Sequence, residues 1–219
     1  MEIDFNKLID NYFSEESRPK TIGRYYPSEI GGCIRKTWFS YLIHKPVDKD
    51  KLRIFEAGNR IHDFIVDVLK HEKNNEIELL EVELPFKLNQ DDFTISGRID
   101  DIVLAKIQNK KALIEVKSTK FLPKEPNSSH ITQIQLYMHA TKINHGIIVY
   151  VQKDNLQTVS FAINYEKENA EEIISRFHGL HYALKNKKIP PAEAKLIKSK
   201  NWMCSFCEYK DECDKYPLE

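Results

Sequence analysis

The sequence predicts an α/β domain: a mixed central sheet flanked by helices. Three observations lead there. In residues 80–88, Leu80, Val82, Leu84, Phe86 and Leu88 alternate with Glu81, Glu83 and Lys87, the pattern of a half-buried strand. Two more β-type runs, 93–105 and 111–118, follow across short turns and complete an antiparallel meander. Segments of helical period lie before, between and after the strands, at 51–72, 130–143 and 166–186.

Each element has a local reason. Residues 3–15 read as a short amphipathic helix. Ser28 caps a helix expected to run through Cys33 to about His44, with Trp38, Phe39 and Leu42 packing and Pro46 ending it. In 51–72, Ile54, Phe55, Ile61, Ile65 and Leu69 recur at helical spacing. Residues 89–92 and the pair Asn109-Lys110 are turns, and 123–129 is a loop. Residues 146–151 are wholly apolar, as at the buried centre of a sheet, and 158–163 is a further strand. Ile173, Phe177, Leu180 and Leu184 share one face of the last long helix. Pro190-Pro191 breaks the pattern, and residues 190–219 have too little periodicity to hold a shape without a staple.

A chain of 219 residues fits one domain. Hydrophobic residues are 41% and charged residues 30%, a globular balance, and no apolar run reaches the about 18 residues of a membrane span. The opening residues lack a signal-peptide core, so a cytoplasmic location is expected. With 33 basic and 33 acidic residues, net charge offers no global attraction to nucleic acid, which leaves only a local basic lining. Residues 185–200 carry six lysines against Glu193, either a solvated surface or a phosphate-facing one.

The chemistry gathers on the meander. Gly97-Arg98-Ile99-Asp100 lies on the second strand and Glu115-Val116-Lys117 on the third. Glu115 and Lys117 are two apart, so they share a face roughly 7 Å apart, while Ala112, Ile114 and Val116 supply the other face. Hairpin pairing brings Asp100 near Glu115. Hard oxygen donors of this kind suit Mg²⁺ or Mn²⁺, and a lysine beside them balances charge growing on a phosphate. Alone, Glu-x-Lys also describes an ordinary surface pair. His62 sits within its helix's apolar stripe, between Gly58, Ile65 and Leu69, and faces inward as a core histidine or a ligand. Gln133 and Tyr137 stand at i and i+4 on the next helix, placed to pack or to grip a phosphate.

An inward histidine, Gly-x-x-Asp, Glu-x-Lys fifteen residues later and Gln-x-x-x-Tyr together resemble the RecB-type branch of the PD-(D/E)XK nucleases, over about residues 58–150. The resemblance implies metal ligation by His62, Asp100, Glu115 and the carbonyl of Val116. It makes Lys117 the catalytic lysine and has Gln133 and Tyr137 complete the site on DNA. Asp101 adjoins Asp100, but Asp100 is the residue that completes Gly-x-x-Asp.

Cys33, Cys204, Cys207 and Cys213 are the chain's four cysteines. Without a secretion signal, disulfides are not expected, and Cys-x2-Cys-x5-Cys is a tight metal-ligand spacing suited to Zn²⁺ or a 4Fe–4S cluster. One cysteine before the core and three after it are similar to the iron–sulfur RecB-type nucleases, among them the CRISPR-associated Cas-four family, and Gly31-Gly32-Cys33-Ile34-Arg35 resembles that family's first-cysteine motif. The resemblance implies a 4Fe–4S cluster on the four cysteines, shielded by Trp38, Trp202 and Phe206. It implies one nuclease domain over 1–219, with a RecB-like core at 50–187 and a cluster module from 20–45 plus 190–219. It implies a metal-dependent DNA exonuclease, 5′→3′ on single strands, trimming fragments for CRISPR spacer acquisition beside the CRISPR integrase proteins. Three rivals stay open: a DNA-end-binding module of an integrase complex with an idle site, a redox protein, and a DNA repair or viral nuclease outside CRISPR.

Overall fold

In a computed structural model of the chain, residues 3–13 and 18–218 are described. The period-two segments form β2 (Ile77–Asn89), β3 (Thr94–Ala105) and β4 (Lys110–Thr119), the expected antiparallel meander. The apolar run is β5 (His145–Gln152), parallel to β4 and antiparallel to β6 (Thr158–Asn164). A strand that no alternation signals, β1 (Arg24–Tyr25), pairs in parallel with Thr94 and Ile95 at the start of β3. The order is β1-β3-β4-β5-β6, with β2 also on β3. Because β2 runs along the length of β3, β1 and β4 share its other edge.

Helices cover both faces. On one, Ile61 and Ile65 of α4 (Lys49–Lys70) bury against Val103, Ala112, Ile114, Val116 and Val151. On the other, Ile134, Tyr137 and Met138 of α5 (Ser128–Thr141) bury against Ile102, Leu113, Ile148 and Tyr150. A third cluster joins α3 (Ile34–Leu42) to α6 (Lys167–Lys185) around Tyr25. The expected stripe Ile173, Phe177, Leu180 and Leu184 is wholly buried there. Each such aliphatic or aromatic side chain contributes about 1.5–3 kcal/mol by leaving water.

Several expectations need correction. The helix expected over residues 28–44 is two helices, α2 (Pro27–Ile30) and α3, broken at Gly31-Gly32-Cys33. The chain turns extended at Cys33, and at this junction a Cβ on Gly31 would sit 2.7 Å from Cα of Ser129, so only glycine lets it meet the start of α5. Trp38 and Phe39 are buried, but Leu42 is exposed, as are Ile54 and Phe55 on α4. The first helix, α1, spans Phe5–Tyr12, and residues 14–15 of the expected segment lie outside the described residues.

The tail is structured by polar contacts. It holds α7 (Glu193–Leu196), a 3₁₀ segment (Lys198–Phe206) and α8 (Lys210–Cys213). Fully buried Arg35 of α3 donates to the carbonyls of Pro190 at 2.6 Å, Pro217 at 2.7 Å and Leu218 at 3.0 Å. Glu193 accepts the Ile34 N–H at 3.1 Å and two bonds from Arg176, at 2.7 and 3.0 Å. These side chains tie α3, α6 and the tail together. Among the described residues no helix is long and apolar enough to cross a membrane.

Gly31→Ala is expected to lower stability by about 1–3 kcal/mol through overpacking against the Ser129 backbone, read as a lower urea midpoint with an unchanged slope.

Candidate active site

The cleft forms where the meander stops zipping. The β3–β4 ladder runs from Ala105↔Lys110 to Asp101↔Ile114 and ends there. At the next step the Val116 N–H donates to Oδ2 of Asp100, at 2.8 Å, in place of a strand carbonyl. A side-chain acceptor satisfies the amide while letting the two backbones part. β1 and the start of α2 lie across the gap. The result is a cleft of about 1190 Å³ lined by His62, Asp100, Glu115, Val116, Lys117, Gln133 and Tyr137, together with Arg24, Tyr26, Phe55, Lys87 and Arg98. All the residues assigned to the catalytic motif thus share one cavity.

Glu115 and Lys117 point from β4 into this cavity as period two requires, and the Lys117 ammonium lies against Oε1 of Glu115. Despite that contact, neither buried oxygen of Glu115 takes part in an aligned hydrogen bond. Burial, then the Asp100 charge, pushes the Glu115 carboxyl up to about 8. Burial also raises Asp100, against the opposing pull of Lys117 and of the Val116 amide. Lys117 is lowered by burial but raised more by Glu115 and Asp100, so it is held firmly as a cation. Its Nζ donates to Oε1 of Gln133 at 3.3 Å, and Nε2 of Gln133 donates to the Tyr137 hydroxyl at 2.8 Å. The Tyr137 hydroxyl, kept protonated mainly by burial, therefore has its hydrogen free to donate.

His62 faces inward as its helical position predicts, but it meets the acid that the motif set aside. Its Nε2 lies 3.3 Å from Oδ2 of Asp101, a fully buried residue on the opposite side of β3 from Asp100. That contact is the main cause of a raised imidazole pKa, ahead of the opposing effect of burial. Sequence reasoning missed a second group. The Tyr150 hydroxyl accepts the Asn127 N–H at 2.9 Å and shares a hydrogen bond with Nδ1 of His130 at 2.8 Å. Burial and nearby Lys117 push His130 down to about 4, consistent with a neutral ring that can accept there. Tyr150 stands beside Lys117 in the β4–β5 register, a neighbour that the parallel pairing alone reveals.

The donor chemistry of the cleft fits a hard divalent cation. Burial raises both carboxyls, the Asp100 charge raises Glu115 further, and the oxygens of Glu115 lack aligned donors, a situation a bound cation relieves. The four cysteines are free of disulfides, and all four line a separate pocket of about 280 Å³. Soft thiols from α3 and the tail fit a metal cluster in kind. Among the described residues, no three His, Cys, Asp or Glu side chains are already gathered around one point to hold a metal ion, in the cysteine pocket or in the cleft. The expected aromatic shield is partial as well: Trp202 and Phe206 line the cysteine pocket but are 57% and 77% exposed, while Trp38 is buried in the adjoining core.

The PD-(D/E)XK nuclease superfamily model matches residues 28–214, nearly the whole chain. The chain belongs to the PD-(D/E)XK nuclease superfamily. It is accordingly a metal-dependent nuclease, and its mixed sheet between helices is the superfamily core. Among curated proteins none matches the sequence. Among solved structures, SSO0001 is similar in fold at TM-score 0.60 and 21% identity, covering 93% of this chain and 90% of that one. The exonuclease LHK-Exo from Laribacter hongkongensis, solved in complex with dAMP, is similar at TM-score 0.51 and 15% identity, covering 76% and 90%.

The Glu115 shift has a measurable sign. Folded Glu115 keeps its proton up to about pH 8, whereas an unfolded glutamate loses it near about 4.3. Between those values the native state binds more protons, so stability falls as pH rises through the window and levels above it. In chelator, the urea midpoint of the wild type should fall from pH 5 to pH 8 more steeply than that of Glu115→Gln.

Proposed function

We propose that the chain is a divalent-metal-dependent DNA exonuclease acting 5′→3′ on single strands, and that it trims fragments for CRISPR spacer acquisition in the cytoplasm beside CRISPR integrase proteins. The observation that carries the nuclease chemistry is Asp100 and Glu115 converging with Lys117 in one cleft. The preference for DNA draws support from the likeness in fold to LHK-Exo, an exonuclease solved with a deoxynucleotide. The CRISPR role draws on the resemblance of the residues around Cys33 and of the cysteine spacing.

In this reading His62, Asp100, Glu115 and the carbonyl of Val116 hold Mg²⁺ or Mn²⁺. The ion, when bound, polarises the scissile phosphate and lowers the pKa of a water. Asp101 steadies the His62 ring. Lys117 acts as a fixed positive charge rather than a base, because its neighbours keep it protonated. It offsets negative charge that builds on the phosphate during in-line attack. Gln133 aims Lys117 through its oxygen and Tyr137 through its amide, and the Tyr137 hydroxyl is left to donate to a phosphate oxygen.

Cys33, Cys204, Cys207 and Cys213 are the proposed ligands of a 4Fe–4S cluster bridging α3 and the tail. Burial, with Cys33 next, raises the Cys204 thiol. Burial also raises Cys207, so both stay protonated until a metal displaces the proton. Cluster uptake should therefore strengthen with rising pH. Because Arg35, Glu193 and Tyr209, stacked on Phe39, also hold the tail, loss of the cluster loosens this region without dismantling the cleft.

End-labelled single-stranded DNA with Mn²⁺ tests the reading. Lys117→Ala should lower kcat by at least about 10²-fold while the protein stays folded by circular dichroism. Intact binding without cleavage by the wild type would instead mark an idle DNA-end-binding module. In anaerobic preparations Cys207→Ser should lose iron and visible absorbance; a colourless, zinc-containing wild type would overturn the cluster assignment.

A further inference from the structure

We infer that the cleft takes single-stranded DNA and that Phe55 is its stacking platform for an unpaired base next to the phosphate held at Asp100 and Glu115; the position of that phosphate rests on the nuclease reading above. The starting point is a failure of sequence pattern. Phe55 continues the apolar stripe of α4, yet its ring is 58% exposed, beside Ile54 at 53%, and both line the cleft. A large apolar surface left open inside a polar cavity is a binding feature more often than a packing one.

Geometry favours a nucleotide as occupant. Phe55, Gly58, Asn59 and His62 follow at helical spacing on the cleft side of α4, so Phe55 stands two turns, about 10 Å, from His62 along the axis. Gly58 brings the helix against β4: a Cβ there would lie 3.5 Å from Oγ of Ser118. The turn carrying Phe55 overhangs the cavity just beyond this contact. Helix α1 does not cover it, because Asp10 ties α1 to Lys49 and Arg53 on the other flank of α4.

Charge completes the match. Arg24, Lys87 and Arg98 line the same cavity, and Arg24 already spreads over the Tyr26 ring at 5.7 Å. Arg98 pairs with Glu83, whereas Arg24 and Lys87 form no ion pair among the described residues. A surface with cations at intervals and an open aromatic face suits a polyanion whose π-faces are accessible. An unpaired strand offers those faces at every base, and paired bases keep theirs inside the stack.

Binding measured by anisotropy in chelator isolates this contact from cleavage. Phe55→Ala should weaken binding of labelled single-stranded DNA about tenfold, Phe55→Trp should restore it, and blunt duplex binding should be unchanged. An abasic nucleotide scanned along the strand should weaken the wild type at one position and leave Phe55→Ala indifferent there. The exposed ring makes an unchanged urea midpoint the expected folding control. Equal affinities of wild type and Phe55→Ala, a flat abasic scan, an equal loss on duplex, or tighter binding of RNA of the same sequence would each overturn the inference. A wild type that shows the stacking signature but never cleaves would sink the nuclease chemistry alone. Cleavage with a flat scan would sink only the stacking role.

Discussion

The hydrogen bond from the Val116 amide to the Asp100 carboxylate is the contact on which the site depends. An antiparallel pair normally exchanges backbone bonds to its end. Here a side chain takes the carbonyl's place after five paired positions, and the strands separate without orphaning the amide. The gap becomes the cleft, and the acid that opens it faces the cavity. The two-residue strand Arg24–Tyr25 then occupies the part of the β3 edge that β4 has left. It carries Arg24 to the opposite wall.

The electrostatics follow from that opening. Asp100 and Glu115 are brought close in surroundings that disfavour two charges, and Lys117 compensates them only in part. Such a cluster is costly for folding and useful for holding a cation. Polar groups around it run in two chains. Lys117, Gln133 and Tyr137 form one, and Asn127, Tyr150 and His130 the other. Both run through α5, whose start is fixed by the Asn127 cap and by the close approach of Gly31. The cysteine-bearing end and the strands of the cleft therefore meet at one helix.

Much of this was legible in the sequence. Period two gave β2, β3 and β4 and the shared face of Glu115 and Lys117, because alternation is a local property. Helical spacing gave α4, α5 and α6 for the same reason. What stayed hidden depends on distant partners. The strand at Arg24–Tyr25 is too short to show a period and exists only because β3 has a free edge. The need for glycine at position 31 is set by Ser129, nearly a hundred residues away in sequence. The partnership of His62 with Asp101 rather than Asp100 depends on which face of β3 meets α4. Phe55 reads as a core position by pattern and proves to be a wall of the cavity. The tail looks shapeless in sequence because its order comes from Arg35, Glu193 and the buried Tyr209 rather than from an apolar stripe.

β4 is covered on both sides, with Ala112, Ile114 and Val116 toward α4 and Leu113 toward α5, while Glu115 and Lys117 face the cavity. A slip of one residue against β3 or β5 would exchange these sets. It would drive a carboxylate and an ammonium among Ile61, Ile65 and Val103 and leave valine in the cleft. The groups that are costly in the correct fold would thus cost still more in the nearest wrong one. The polar residues of the cavity act as a proofreading device for strand assembly, which gives them a role in every molecule before any substrate arrives.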